Sequence, residues 1–121
     1  MKRIALLLVL HLLFYTSASA ISPIDGLLER IDRGASKKFV IQQVKSDVDF
    51  FELDQKGNKP VIRGNSWVNI ATGVNWYLKH HAGIHLTWNQ MQAKLPAQLP
   101  PVMHTHFQLR GSHSVALQCL Y

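Results

Sequence analysis

Apolar residues at Ile24, Leu27, Leu28 and Ile31 recur at the three-and-four spacing of a helix that buries one face. Ser22-Pro23 supplies a cap and a first-turn proline ahead of them, and Gly34 follows as a stop. The pattern therefore predicts a short helix of about ten residues. Phe39–Val44 is rich in β-forming residues and reads as a strand, and Phe50–Asp54, alternating around Phe51 and Leu53, reads as a second. Gln55-Lys56-Gly57-Asn58 has hairpin-turn chemistry, so Pro60–Arg63 returns as a third strand with Pro60 at its entry.

Gly64-Asn65-Ser66 offers a cap for the strongest helix, Trp67 to about His81, with Trp67, Ile70, Ala71, Val74 and Leu78 on one stripe. Gly73 and Ala71, small and close to that stripe, would let the helix approach a sheet closely; Gly83 is the natural C-terminal cap. Ile84–Trp88 alternates and reads as a fourth strand, after which Pro96, Pro100 and Pro101 read as a linker. The fold class expected is α+β, a small antiparallel sheet of three to four strands with two packed helices.

Ahead of these elements, Met1-Lys2-Arg3, the apolar run Ile4–Tyr15 and Ala18-Ser19-Ala20 follow the plan of a secretory signal over 1–20. The run is shorter than the roughly 20 residues that span a bilayer, so no stable membrane span is expected. Cleavage after Ala20 would leave 101 of the 121 residues and, with Lys2 and Arg3 gone, lower the formal net charge from +6 to +4. A chain of that size supports one domain and excludes a catalytic barrel of about 250 residues. The single cysteine, Cys119, rules out an intramolecular disulfide, and no cysteine follows the leader to carry a lipid. The expected location is secreted or periplasmic.

Charge is uneven. Asp25, Glu29, Asp32, Asp47, Asp49, Glu52 and Asp54 all precede Gln55, and no carboxylate side chain follows. The later half keeps Lys56, Lys59, Arg63, Lys79, Lys94 and Arg110, which reads as an ordinary solvated surface or as a basic face for an acidic glycan. Asp47, Asp49, Glu52 and Asp54 are dense enough to consider as a glycosidase pair, but their alternation on and beside one strand points them to solvent.

His80-His81 diverge by about 100° on a helix, and His85 lies beyond Gly83. His104-Thr105-His106 could chelate a metal only if extended, and it falls in a stretch read as irregular, as does His113. No catalytic, cofactor-binding or metal residue is assigned, and no cofactor. No phosphate loop, G-x-G-x-x-G or G-x-S-x-G motif occurs, and no nucleic-acid partner is expected. Trp67, Trp76, Trp88 and Tyr77 could form a sugar-stacking platform, but at helical spacing they read as core or domain-interface packing.

The stretch Asp49–Pro96 resembles the N-terminal domain of the alpha-N-acetylglucosaminidase family, glycoside hydrolase family 89. The likeness is carried by Phe51-Glu52-Leu53, Ile62-Arg63-Gly64, Ala71-Thr72-Gly73, Trp76-Tyr77-Leu78, Gly83-Ile84-His85-Leu86, Trp88-Asn89 and Leu95-Pro96, and it extends over roughly residues 22–101. The resemblance implies a small α/β domain preceding a barrel that bears two catalytic glutamates, in an enzyme that removes terminal α-linked N-acetylglucosamine with retention. Neither glutamate carries over to any position here, so no glycosidase activity is expected of this chain.

The resemblance divides the chain into a leader (1–20), the N-terminal domain (21–96) and an irregular tail (97–121) that reads as truncated or frame-shifted. The expected role is a non-catalytic accessory domain whose partner is the catalytic barrel of a full-length enzyme. The alternative is a stand-alone secreted carbohydrate-binding or surface-interaction module. Trp88, Met91, Leu95 and Leu99 are the residues expected to be left as an orphaned apolar face.

Overall fold

A computed structural model of the chain describes residues 21–109; the expected leader, Arg110, His113 and Cys119 lie outside the described residues. Ser22 caps α1 (Pro23–Ile31): its hydroxyl accepts from the Asp25 N–H at 3.1 Å while the Asp25 carboxylate accepts from the Ser22 N–H at 3.3 Å. This reciprocal pair satisfies orphan donors at the helix start. Ile24, Leu28 and Ile31 turn inward and are buried. Gly34, at φ 84°, ends the turn in the left-handed region and opens a 3₁₀ turn, Ala35–Lys38.

The strands are β1 (Val40–Gln43), β2 (Phe50–Lys56), β3 (Lys59–Gly64) and β4 (Thr105–Gln108), in the order β1-β3-β2-β4. β2 and β3 form a hairpin whose register sets Leu53 against Ile62 and Glu52 against Arg63. The sheet is mixed rather than wholly antiparallel, because β1 runs parallel to β3, with Val40 beside Val61. β1 leads into β2 through residues 44–49 instead of a tight turn, so the free edge of β3 becomes its partner. The parallel β1–β3 pair is bridged by residues 44–58, β2 included, the longer crossover that such a pair needs.

α2 (Trp67–His80) is capped by the Ser66 hydroxyl, which accepts from the Asn69 N–H at 3.2 Å. Ile70, Val74, Tyr77 and Leu78 are buried against Phe51, Leu53 and Ile62 in one core that also takes in Ile24, Leu28, Ile31 and Phe39. Gly73 lies where helix and sheet come closest. A Cβ there would stand 2.8 Å from Ile62 Cγ2 and 3.1 Å from Phe51 Cδ2, closer than packed side chains tolerate. Trp67, by contrast, is not part of the buried stripe: in the first turn of α2 it is 37% exposed.

Two expectations about the chain after α2 are overturned. Ile84–Trp88 is not a strand. The Ile84 N–H turns back to the Leu78 carbonyl at 2.8 Å past Gly83 (φ 67°), and Thr87 and Gln90 bond reciprocally around a two-residue tip, Trp88-Asn89. Its backbone groups are thus used up by the helix end and a local turn. The edge of β2 goes instead to Thr105–Gln108, inside the stretch expected to be irregular. Phe107 is the reason that segment competes successfully. It stacks on Phe51 with centroids 4.7 Å apart and tilts against Trp76 at 4.8 Å, so pairing also buries aromatic surface.

Nor are Pro96, Pro100 and Pro101 a free linker. Leu95, Leu99 and Val102 are buried in the main core. Their segment is tied down by Ala93 N–H to the Ile31 carbonyl (3.0 Å), Leu95 N–H to Asp32 (2.9 Å), Val102 N–H to Gln55 (3.2 Å) and the Lys38 ammonium to the Pro96 carbonyl (2.8 Å). Proline has no N–H to satisfy, so it suits an extended strap held through its neighbours' amides. Among the described residues no helix is long and apolar enough to cross a membrane.

Candidate functional site

Period-two alternation gives the sheet two unlike faces. Phe51, Leu53 and Ile62 point to the helices, while Glu52 and Asp54 on β2, Arg63 on β3, Gln42 on β1 and His106 on β4 share the other face. Register brings four of them into one row across all four strands: Gln42 beside Arg63, Arg63 opposite Glu52, Glu52 opposite His106.

The row is bonded end to end. Arg63 Nε donates to Gln42 Oε1 at 2.7 Å, and its Nη1 donates to Glu52 Oε1 at 2.7 Å and Asp54 Oδ2 at 3.0 Å. His106 Nδ1 lies 3.3 Å from Glu52 Oε2, and His104 Nδ1 lies 3.7 Å from Glu52 Oε1 and 3.9 Å from Asp54 Oδ2. The hydrogen bond from Arg63, with that of the Gln55 N–H, holds the Asp54 carboxyl below its ordinary range. The two carboxylates it bonds, Asp54 first and then Glu52, raise Arg63 against the opposing effect of burial. Opposite charge and a hydrogen bond to the charged form act in the same direction on both groups.

This geometry bears on the carboxylates that the sequence offered for acid–base work. A retaining glycosidase needs one carboxyl kept protonated and one free nucleophile, facing each other across open space. Glu52 and Asp54 instead converge on one guanidinium. Asp49 accepts from the Asn65 and Asn69 amides at 3.0 and 3.1 Å, tying the start of β2 to the first turn of α2. Glu29 accepts from the Gly34 and Ser36 N–H groups and from the Ser36 hydroxyl, which holds its carboxyl low as well, the hydroxyl bond being the largest cause. These acids serve the architecture.

The histidines are distributed differently from expectation. His106 lies on β4 and His104 just ahead of it, and both rings lie against the acidic pair of β2. Among the described residues the side chains of Glu52, Asp54 and His104 bring ligand atoms within 4.8 Å of one another. His80 packs on Trp76 with centroids 4.2 Å apart, and His81 stacks on Tyr77 at 5.5 Å. Arg63 and Gln42 were not singled out from the sequence as partners of the acids. The two-residue turn at Gly57-Asn58 would have placed Arg63 opposite Glu52. The pairing of β1 with β3 had no comparable local signal.

The apolar face expected to be orphaned is split. Leu95 and Leu99 are 4% and 7% exposed and complete the core, whereas Trp88 stands 91% exposed at its turn tip with Met91 at 45% beside it. Trp76 and Tyr77 are packed against the sheet and the strap, as core aromatics, and do not form a platform with Trp88.

Residues 22–101 match the family model of the alpha-N-acetylglucosaminidase N-terminal domain. Among solved structures, the chain is similar to a family 89 glycoside hydrolase from Clostridium perfringens in complex with 2-acetamido-1,2-dideoxynojirmycin, at 27% identity and a TM-score of 0.68 over 77% of this chain. The same enzyme in complex with its substrate GlcNAc-α-1,4-galactose matches equally. Its complex with PUGNAc matches at 28% identity and a TM-score of 0.64 over 73% of this chain. No curated protein matches the chain. The match spans only 11% of the length of those enzymes, and the region matched is their N-terminal domain and not a catalytic one. By the family match over most of its described residues, this chain belongs to the family of alpha-N-acetylglucosaminidase N-terminal domains.

Proposed function

We propose that the chain works as a secreted, non-catalytic accessory domain of an alpha-N-acetylglucosaminidase of glycoside hydrolase family 89, offering the exposed turn around Trp88 and Met91 to the enzyme's catalytic part. The observation that carries this reading is the family match over residues 22–101. An indole 91% exposed on a two-residue turn, next to a half-exposed Met91, supplies the apolar surface that such a partner would cover. The basic start and short apolar run of residues 1–20 support export, with a mature chain beginning at Ile21.

The test joins activity to association. The purified chain is expected to release no chromophore from an aryl α-N-acetylglucosaminide. A catalytic portion of a family 89 enzyme expressed without its own N-terminal domain is expected to bind the chain, and Trp88→Ser to weaken that binding. Hydrolysis by the chain alone, or binding indifferent to Trp88, would overturn the reading. Edman sequencing of exported protein should begin at Ile21.

Trp88 favours one other reading, a stand-alone module that binds glycans by stacking a sugar on the free indole, helped by the carboxylate-free second half. Salt-sensitive retention on heparin, lost in Trp88→Ser without any association with the catalytic portion, would select it. Absence of glycan retention removes it.

A further inference from the structure

We infer that the cleft between the 3₁₀ turn, the tip of the β2–β3 hairpin and the proline strap is a binding site for one tetrahedral oxyanion, a phosphate or sulfate group. The cleft has a volume of about 190 Å³. It is lined by Lys37 and Lys38 from the turn, Asn58 and Lys59 from the hairpin, and Ala97, Gln98 and Leu99 from the strap. Three segments distant in sequence thus bring lysines and amides to one cavity, and no carboxylate lines it.

The polar groups of that lining are donors left free by the fold. Among the described residues the side chains of Lys37, Asn58, Lys59 and Gln98 form no hydrogen bond, and neither do the backbone N–H groups of Ala97, Gln98 and Leu99. Leu99 is a buried residue, where an amide N–H ordinarily finds a partner. The Lys38 ammonium is fixed beside the strap by the Pro96 carbonyl at 2.8 Å, which uses one of its three protons. The strap is pinned on both sides of these residues, by Leu95 N–H to Asp32 at 2.9 Å and Val102 N–H to Gln55 at 3.2 Å. Its amides are therefore held in place before any ligand arrives.

Ammonium groups together with successive free backbone N–H groups are donors that tetrahedral oxyanions take, whereas a metal cation would find no carboxylate or imidazole here. Size limits the ligand to one such group and a small part of its bearer, since pockets for drug-sized molecules begin at about 300 Å³. Three like charges around one cleft also repel each other, and a bound anion removes that cost. Glu29 acts on Lys37 through space, but its oxygens are bonded to Gly34 and Ser36. The larger cleft at the end of α1, with Arg30, Arg33 and Lys94, suits an anion less because Glu29 and Asp32 line it too. The site shares no lining residue with the turn at Trp88 and stands apart from the function proposed for that turn.

The experiment records 1H–15N spectra of the labelled chain at about pH 7 while sodium phosphate or sodium sulfate replaces sodium chloride at constant ionic strength, so that general screening stays fixed. Both anions should move the amides of Asn58, Ala97, Gln98 and Leu99 along saturable curves. Lys37→Gln and Lys59→Gln, at exposed positions, should each weaken binding about threefold or more, and the double variant about tenfold, with the rest of the spectrum unchanged. Lys45→Gln, outside the cleft, should bind as the parent does. Glucose 6-phosphate and glucose 6-sulfate separate the sources of the group. Tighter binding than the free ions assigns the site to an esterified sugar, and binding no tighter assigns it to the free ion. Shifts that never saturate, saturation without a response at residues 97–99, binding undiminished in the double variant, or an equal loss in Lys45→Gln would overturn the site.

Discussion

The Tyr77 hydroxyl, buried in the last turns of α2, donates a hydrogen bond to the carbonyl of Pro100 in the strap. One side chain thereby joins the central helix to a segment 23 residues further on that local patterns describe as a linker. Phe39 meets the same ring edge-on at 5.6 Å. Burial pushes the Tyr77 phenol up to about 12.

Tyr77→Phe should leave the Pro100 carbonyl without its partner and destabilise the fold by about 1–3 kcal/mol, read from urea unfolding. Titration has a matching sign. The folded-state value lies above the ordinary 10.0, so the stabilisation is complete below pH 10 and is lost as pH rises towards 12. The parent should therefore lose more stability than Tyr77→Phe across that interval, and equal losses would disconnect the ring from the effect.

At the acid end Asp54 and Glu29 are both held below their ordinary values of 3.8 and 4.5. The unfolded chain takes up these protons first, so stability is present in full above about pH 5 and falls as pH drops through and below those values. Arg63→Ala removes the main cause of the Asp54 shift and leaves two carboxylates side by side. It should lower stability at neutral pH and flatten the acid decline. An unchanged acid slope in the variant would contradict the pairing.

Gly73→Ala tests how closely α2 rides on the sheet. Alanine is the better helix former, and on an open helix surface it would stabilise. Here its Cβ would meet Ile62 and Phe51, so it should destabilise by about 1–3 kcal/mol through overpacking. Increased stability in thermal melts would mean a looser helix–sheet contact than described.

Trp88 and Leu99 were expected to share one orphaned face, and the structure separates their fates. Trp88→Ser should change stability by less than about 0.5 kcal/mol and reduce self-association measured by light scattering. Leu99→Ala, at a core position, should cost about 2–5 kcal/mol. A large loss from Trp88→Ser would place the indole in the core instead.

Local pattern was enough for α1, the β2–β3 hairpin and α2, because each is specified by neighbours in the chain. Ser22 and Ser66 satisfy helix-end amides a few residues away, and the turn at Gly57-Asn58 (Gly57 φ 59°) sets the register of two adjoining strands. It was equally enough to recognise the family. What it could not assign was which segment takes an open edge of the sheet. Ile84–Trp88 alternates as strands do and Thr105–Gln108 lies in a stretch that reads as irregular, yet the edge goes to the latter, where Phe107 finds Phe51 and Trp76, residues far from it in sequence. The same holds for β1 beside β3 and for the burial of Leu95, Leu99 and Val102. The His104–His106 pair shows the consequence: two residues apart in any chain, they face Glu52 only because β4 docks where it does. Alternation and capping are short-range and readable along the chain, while edge pairing is settled by contacts that exist only after collapse.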